Sequence, residues 1–89
     1  MKTFTFHIDP GHGWLKVSQA DYAALGFKAA DFSTYSYVAV ADGALYLEED
    51  CDASKFVDAY KAKHGAINIR ESHCNSSSFI RRLRRNAEA

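Results

Sequence analysis

The chain has few of the residues that mark membrane, fibrous and disulfide-rich secreted proteins. It contains one proline, Pro10, and two cysteines among 89 residues. No apolar run approaches the roughly 18 residues that are needed to span a membrane. Residues 1–6 alternate apolar and polar side chains and lack the features of a signal peptide. We therefore expect an intracellular protein with no membrane partner.

Short catalytic motifs are also missing. The sequence has no Gly-x-Ser-x-Gly elbow, P-loop or dinucleotide fingerprint, and its cysteines form no CxxC pair. Cys51 stands beside Asp50 and Asp52, whose negative charge raises a thiol pKa and disfavours the reactive thiolate. We expect Cys51 and Cys74 to be free thiols, with a single disulfide as the alternative. The sequence therefore predicts no enzyme, no catalytic residues and no cofactor.

The remaining composition predicts one globular domain over residues 1–89. Hydrophobic residues make up 47% of the chain and charged residues 25%, which is typical of a folded protein. Alternation of apolar and polar residues predicts five strands, at residues 3–8, 14–17, 35–41, 44–49 and 67–71. Asp42-Gly43 is typical of a type I′ hairpin turn, which requires a positive φ at both positions.

Two helices have clear start and stop signals. Ser18 and Asp21 have the spacing of a capping box, and Gly26 is typical of the residue that follows a helix end. The second helix is bounded by Asp52 as the N-cap and Gly65 at its end. Both helices are therefore predicted to follow a β-hairpin.

A third helix is expected near the end of the chain. The serines at 76–78 would cap it, and Phe79, Ile80 and Leu83 would share its apolar side. The element order ββαββαβα predicts an α+β fold. Its mainly antiparallel sheet would have about five strands, with two to three helices on one face.

Positive and negative residues are unevenly distributed along the chain, although the formal net charge is zero. All six lysines lie before Gly65, and all five arginines lie at or after Arg70. Residues 1–66 carry nine Asp or Glu and six Lys, a net charge of −3. Residues 67–89 carry five Arg and two Glu, a net charge of +3. Two opposed fields on one small domain indicate a binding surface rather than a particular reaction.

The densest acidic run ends a predicted strand and opens a helix. It places four carboxylates in five positions, at Glu48, Glu49, Asp50 and Asp52. One or two carboxylates suit a helix N-terminus, so the run exceeds what capping needs. The alternatives are a solvated helix start, contact with a basic site on a partner, or a cation site, although the D-x-D-x-D-G pattern of a calcium loop is missing.

Aromatic residues collect on the outward face of the predicted sheet, with basic residues at its edges. They are Trp14, Tyr35, Tyr37 and Tyr46, with Lys16 and Arg70 beside them. An open face of this kind suits a protein hot spot or single-stranded nucleic acid. We favour coverage by the C-terminal helix or by a second copy of the chain, because small domains seldom leave several rings exposed.

A second cluster of like charge consists of arginines. Arg81, Arg82, Arg84 and Arg85 place four guanidiniums in five positions. They suit contacts with phosphates, whose affinity depends on salt. The net negative charge of residues 1–66 would repel a polyanion. A solvated helix, or one docked on the chain's own acidic run, explains the arginines equally well.

The first hairpin offers a candidate metal site. His7, Asp9 and His12 are close in sequence, and three such ligands could hold zinc or iron with one position open. The simpler interpretation is a polar hairpin end in which Asp9 accepts hydrogen bonds from turn amides.

Several stretches together resemble a known family. They are DPGHGWLKV at 9–17, YSY at 35–37 and YLEEDCDA at 46–53, followed by Phe56 and by Ser78-x-Ile80-Arg81. The sequence resembles a family of small uncharacterised proteins encoded by bacteriophages and plasmids of proteobacteria. This resemblance implies a mobile-element origin and carries over no catalytic residues. Small acidic-patch proteins of such elements often block host defence machinery, including CRISPR–Cas complexes. The C-terminal arginines depart from a pure DNA-mimic pattern.

The leading hypothesis is a non-enzymatic protein that acts in the cytoplasm of a bacterial host. It would bind a host protein or nucleoprotein complex and inhibit a defence nuclease complex such as CRISPR–Cas. The acidic run would carry the binding, supported by Trp14, Tyr35, Tyr37 and Tyr46. One alternative is a nucleic-acid-binding accessory protein that uses the arginine cluster. The other is a small metal-dependent enzyme at the first hairpin.

Overall fold

A six-stranded mixed sheet forms the centre of the protein, with its strands in the order β5-β1-β2-β4-β3-β6. The computed structural model describes residues 2–75 and 79–86. The strands are β1 Thr3–Ile8, β2 Gly13–Val17, β3 Tyr37–Ala39, β4 Ala44–Glu48, β5 Asn68–His73 and β6 Arg84–Arg85. The helices are α1 Gln19–Ala24 and α2 Ala53–His64, with 3-10 turns at Ala29–Asp31 and Phe79–Arg82. The α+β class predicted from the sequence is confirmed.

The topology agrees only in part with the prediction of a mainly antiparallel sheet of about five strands, because the sheet has six strands and is mixed. Strands β1 and β5 pair in parallel, whereas the other four pairings are antiparallel. Strand β4 runs in the same direction as β1, so α2 carries the chain from β4 past β2 and β1 to the edge of the sheet. A helical crossover of this kind joins parallel strands. Alternation within a strand does not reveal its neighbour, so the sequence pattern missed this pairing.

The predicted third helix is wrong for the described residues. The serines at 76–78 lie outside those residues, and Phe79–Arg82 forms a single 3-10 turn. Arg84–Arg85 then pairs with β3 as a sixth strand. Ile80 is fully buried. The apolar residues whose spacing suggested a helix therefore belong to a short segment that covers the sheet. Residues 79–86 are called the C-terminal segment below.

Both α-helices pack on one side of the sheet, as the sequence predicted. The core there contains Phe4 and Leu15 from the strands and Tyr22 and Phe56 from the helices. This side is called the helix side below. The edge-on contact of Phe4 with Phe56, with ring centroids 5.4 Å apart, is of the kind that aromatic pairs prefer.

The predicted end signals of α1 and the glycine that ends α2 are confirmed. The hydroxyl of Ser18 accepts from the amide of Asp21, and the Asp21 carboxylate accepts from the amide of Ser18. Gly26 and Gly65 each follow a helix end with φ of 85°, a conformation that glycine adopts without steric cost.

The second hairpin turn is not the predicted type I′ turn. Gly43 has a φ of 75°, but no non-glycine residue among those described has a positive φ, so Asp42 does not. Four residues separate the paired Ala39 and Ala44, and the Gly43 amide donates to the Ala39 carbonyl at 2.8 Å. The Asp42 carboxylate also accepts a hydrogen bond from the Ala44 amide within the turn.

The described part of the chain has a radius of gyration of 12.2 Å. This value is close to the roughly 12 Å expected of a compact domain of this length. No helix within residues 2–75 and 79–86 is long and apolar enough to cross a membrane.

Candidate functional site

The C-terminal segment covers much of the aromatic face of the sheet. Ile80 packs against Trp14 and Tyr46, which are only 2% and 5% exposed. Tyr37 and Leu83 join the edge of this second cluster. Trp14 and Tyr46, which the sequence suggested as partner-binding rings on an open face, are therefore largely covered by the chain itself.

An ion pair helps to hold the C-terminal segment in place. Arg81 donates to both carboxylate oxygens of Asp9, at 2.7 and 3.0 Å, and its guanidinium lies 5.4 Å from the ring centroid of Trp14. This bidentate geometry is the strong form of a charge-assisted hydrogen bond. Hydrogen bonding to Asp9 raises the pKa of Arg81, so the guanidinium stays charged. The arginine therefore docks on Asp9, not on the acidic run.

The far end of the C-terminal segment is held by an amide. The side chain of Asn86 is buried and donates to the carbonyls of Ala29 and Phe32, at 2.7 and 2.9 Å. The backbone amide of Asn86 donates to the carbonyl of Ser36. The segment is thus attached near its start by Ile80 and Arg81 and at its end by Asn86.

The hairpin residues do not assemble into a metal site. The Asp9 carboxylate is almost fully buried and accepts from the amides of Gly11 and His12 as well as from Arg81. His7 lies on the sheet beside Tyr46, with ring centroids 5.8 Å apart. No group of three or more metal-ligating side chains occurs in the part of the chain that the structure describes. The simpler interpretation, an aspartate that stabilises the turn, is confirmed.

Two of the four clustered carboxylates serve the fold. One Asp52 oxygen accepts from the amide of Ser33 at 2.9 Å, from the Ser33 hydroxyl at 2.7 Å and from the Ser36 hydroxyl. Asp52 precedes α2 as predicted, but its side chain makes no cap hydrogen bond. One Glu48 oxygen accepts from the amides of Asp50 and Cys51, at 2.8 and 2.9 Å. Both residues are buried, which leaves only the other two on the surface.

The exposed half of the acidic run consists of Glu49 and Asp50. Residues 48–52 are called the acidic turn below. Folding therefore divides the run into a buried pair that shapes the turn and an exposed pair that faces solvent. The exposed pair therefore has the greater access to solvent.

A cleft of about 320 Å³ lies between the acidic turn and the C-terminal segment. Its lining combines aromatic, acidic and arginine side chains and includes no lysine. The lining residues are His12, Trp14, Tyr35, Tyr37, Glu48, Asp50, Cys51, Arg81 and Arg85. The acidic stretch at 48–52 and the arginine-rich stretch at 81–85, which are distant in sequence, thus line a common cleft.

The rim of the cleft is partly ordered by local contacts. Tyr35 is 61% exposed, which makes it an accessible ring at this site. The guanidinium of Arg85 lies 5.6 Å from the ring centroid of Tyr37 and donates to the Thr34 carbonyl at 3.4 Å. Nδ1 of His12 lies 4.0 Å from a carboxylate oxygen of Glu48. The cleft therefore presents an exposed ring, a fixed cation and carboxylates close together.

One lining residue has an unmet hydrogen bond. The indole N–H of Trp14 is buried and has no hydrogen-bond partner among the described residues. A buried donor without an acceptor lowers the stability of the folded state. Trp14 therefore contributes a buried wall to the cleft rather than an exposed ring.

The cysteine in the cleft is poorly suited to react. Both Cys51 and Cys74 are exposed and outside any disulfide, so the expectation of unbridged thiols is confirmed. Loss of solvation raises the pKa of the Cys51 thiol, and so does the neighbouring Glu48. The thiolate is the nucleophilic form, so this agrees with the sequence argument against nucleophilic catalysis.

The pH dependence of stability provides a test of the packing around His7. Partial burial lowers the pKa of His7 from its ordinary value of 6.5, and the charges of Lys16 and Arg70 lower it further. The unfolded chain therefore binds a proton before the folded one as pH falls below 6.5. We expect the free energy of unfolding to decrease between about pH 7 and about pH 5 through this group.

Replacing His7 measures how much of the decrease in the free energy of unfolding comes from its imidazole. The variant His7→Gln should show a flatter dependence, measured by urea unfolding at several pH values, because it has no proton to gain. The control His73→Gln changes an exposed histidine on β5 that contacts Glu71, and the decrease assigned to His7 should remain in this variant. An equal slope in wild type and His7→Gln would contradict the assignment.

Sequence reasoning missed two of the contacts that shape the site. The partnership of Asp9 with Arg81 joins residues 72 positions apart, and no local pattern indicates it. His12 was considered as a metal ligand, whereas it lines the cleft. Opposite net charges at the two ends of the chain were the available signal that such a contact would form.

Comparisons of the chain with protein-family models, with curated proteins and with solved structures found no match.

Proposed function

We propose that this is a non-enzymatic binding protein that recognises a host protein or nucleoprotein complex through the cleft. The observation that carries the proposal is the joint exposure of Tyr35 and Asp50 in a cleft that also presents Arg85. Tyr and Arg are enriched at protein hot spots, and lysine is depleted. The tyrosines and arginines of the lining follow that composition, whereas Glu48 and Asp50 depart from it, since acidic residues are depleted at interfaces.

The mixed charge of the cleft favours a protein over a polyanion. Glu48 and Asp50 line the same cleft as Arg85, so a phosphate backbone that approached Arg85 would also meet carboxylates. A protein surface can match both signs, and complementary charges give specificity and faster association. The partner surface is therefore expected to carry a basic residue opposite the acidic turn and an acidic one opposite Arg85.

Inhibition of a defence nuclease complex such as CRISPR–Cas is the biological role we assign to this binding. It rests on the resemblance of the sequence to small phage and plasmid proteins, together with the exposed Glu49 and Asp50. Such complexes hold nucleic acid in positively charged channels, so exposed carboxylates suit their surfaces. An origin on a mobile element and action in the bacterial cytoplasm belong to the same proposal.

An affinity capture tests the proposal. Tagged protein would be incubated with host lysate, with and without nuclease, and the captured proteins identified by mass spectrometry. The proposal expects a discrete protein complex that survives nuclease treatment and is lost with the double variant Tyr35→Ala/Asp50→Lys. Capture that disappears with nuclease, or that is unchanged in the variant, would contradict it.

Nucleic-acid binding is the second candidate, favoured by the exposure of three arginines. Arg82, Arg84 and Arg85 are all exposed on the C-terminal segment. Each phosphate contact would make the logarithm of the affinity fall with the logarithm of salt concentration, with a slope of roughly −0.7 per contact for a single strand. A steep slope in oligonucleotide titrations that Arg82→Ala/Arg84→Ala reduces would support this candidate.

A further inference from the structure

The sheet has one long edge that no described element covers. Strand β5 is its first strand, and all six residues Asn68–His73 are exposed. Within residues 2–75 and 79–86, its only strand neighbour is β1. The opposite edge, β6, has two residues and offers little backbone for pairing. An exposed edge of this length is a template for another strand.

An apolar groove of about 370 Å³ lies beside this edge, on the helix side of the sheet. Its floor includes Phe6 and Leu15, and Val57 of α2 forms part of a wall. Ile69 of β5 also lines it and is 43% exposed, a large apolar side chain left partly uncovered. The groove and the edge therefore meet at β5.

The charges around the groove have one sign. Among the described residues, its charged lining side chains are Asp58 on α2 and Glu71 on β5, and the Glu71 carboxylate also contacts the His73 imidazole at 3.1 Å. Arg70, between Ile69 and Glu71, points to the other side of the sheet, where it donates to the Thr5 hydroxyl at 3.4 Å. An occupant of the groove therefore meets apolar surface and negative charge together.

We propose that β5 receives an extended peptide segment of a partner protein as a seventh strand, with an apolar and a basic side chain directed into the groove. Main-chain hydrogen bonds would supply affinity, and alternate side chains would supply specificity. This surface is separate from the cleft, so the inference does not depend on the proposed function.

The register of the sheet specifies the motif. Ile69 and Glu71 both point to the helix side, because Ile69 pairs with Phe4 and Glu71 with Phe6. A strand added at about 4.8 Å places one side chain beside Ile69 and another, two residues away, beside Glu71. The first should be Val, Ile or Leu, and the second should be Lys or Arg. The expected motif is therefore one apolar and one basic residue separated by one position.

A second copy of the chain suits this edge poorly. In a symmetric antiparallel pair the two-fold axis is perpendicular to the sheet, so residues that face each other point to the same side. The two registers with greatest overlap place Arg70 opposite Arg70 or Glu71 opposite Glu71. Like charges directly opposite one another are destabilising.

Selection from a phage-displayed library of random dodecapeptides on the immobilised chain tests the proposal. We expect enriched peptides to contain the apolar-x-basic motif in either direction. Binding of a selected peptide should slow amide hydrogen exchange in Asn68–His73, as added strand hydrogen bonds require. The absence of enrichment, enriched peptides that lack the motif, or protection elsewhere would overturn the proposal.

Matched charge reversals locate the contact. The double variant Asp58→Lys/Glu71→Lys should weaken a selected peptide by about tenfold, because two exposed attractive pairs become repulsive. Glu49→Lys/Asp50→Lys makes the same charge change at the acidic turn and should leave peptide affinity unchanged. Equal effects of the two variants would overturn the proposal. So would sedimentation showing a dimer in which β5 amides are already protected, since a second copy would then occupy the edge.

Discussion

Replacing Ile80 with alanine is expected to lower the free energy of unfolding by about 3 kcal/mol, the typical cost of a large-to-small change in a packed core. Ile80 is fully buried and packs on Trp14 and Tyr46. Its removal leaves a cavity under the C-terminal segment and weakens the cover over both rings. In a domain of this size the loss corresponds to a fall in Tm of about 15 °C. Urea and thermal unfolding would measure both quantities.

The single tryptophan reports whether the segment loosens as well. Trp14 is the only tryptophan in the chain, so its fluorescence can be assigned without ambiguity. Acrylamide should quench Ile80→Ala more strongly than wild type under conditions where both are folded. Phe79→Ala, at the half-exposed neighbouring position whose ring contacts those of His7 and Tyr46 edge-on, is the control and should cost less than Ile80→Ala. Equal losses in the two variants would contradict the packing described for the segment.

Replacing Asp52 with alanine is expected to cost about 3 kcal/mol, because it removes the acceptor of three hydrogen bonds in a buried site. The amide and hydroxyl of Ser33 and the hydroxyl of Ser36 all donate to one Asp52 oxygen. Leaving such donors unpaired has a larger cost than the bonds themselves contribute. Equilibrium unfolding in urea measures the difference.

A neighbouring carboxylate provides the contrast for Asp52. Asp50→Ala removes an exposed acid two positions earlier and should change the free energy of unfolding by less than about 0.5 kcal/mol. Asp52→Asn keeps one acceptor oxygen, so its free energy of unfolding should lie between those of the two alanine variants. If Asp52→Ala and Asp50→Ala were equally stable, the division of the acidic run into buried and exposed pairs would be wrong.

Local signals in the sequence predicted local structure well. Ser18, Asp21, Gly26 and Gly65 each mark a helix end through interactions within a few residues, and each does so in the structure. Strand alternation correctly separated the helix side from the aromatic side for β1, β2 and β4. These features depend on neighbours in sequence, so they can be recognised without the fold.

Features that depend on distant residues could not be predicted in the same way. The charge of Glu48 or Asp52 does not indicate whether the side chain faces solvent or the hydroxyls of Ser33 and Ser36. The parallel pairing of β5 with β1 depends on where the α2 crossover ends. The apolar spacing of residues 79–83 fits a helix as well as a 3-10 turn that packs on buried aromatic rings.

The central claim, that the cleft binds a protein partner through its exposed acidic wall, is tested most directly by one comparison of charge reversals. The affinity of the protein recovered after nuclease treatment would be measured for wild type, Glu49→Lys/Asp50→Lys and Asp58→Lys/Glu71→Lys. Both variants change exposed carboxylates to lysines and should fold with wild-type stability. The account predicts a loss of about 100-fold for the first, because like charges face each other across the interface, and less than about threefold for the second. Unchanged affinity for Glu49→Lys/Asp50→Lys, or equal losses in the two variants, would contradict it.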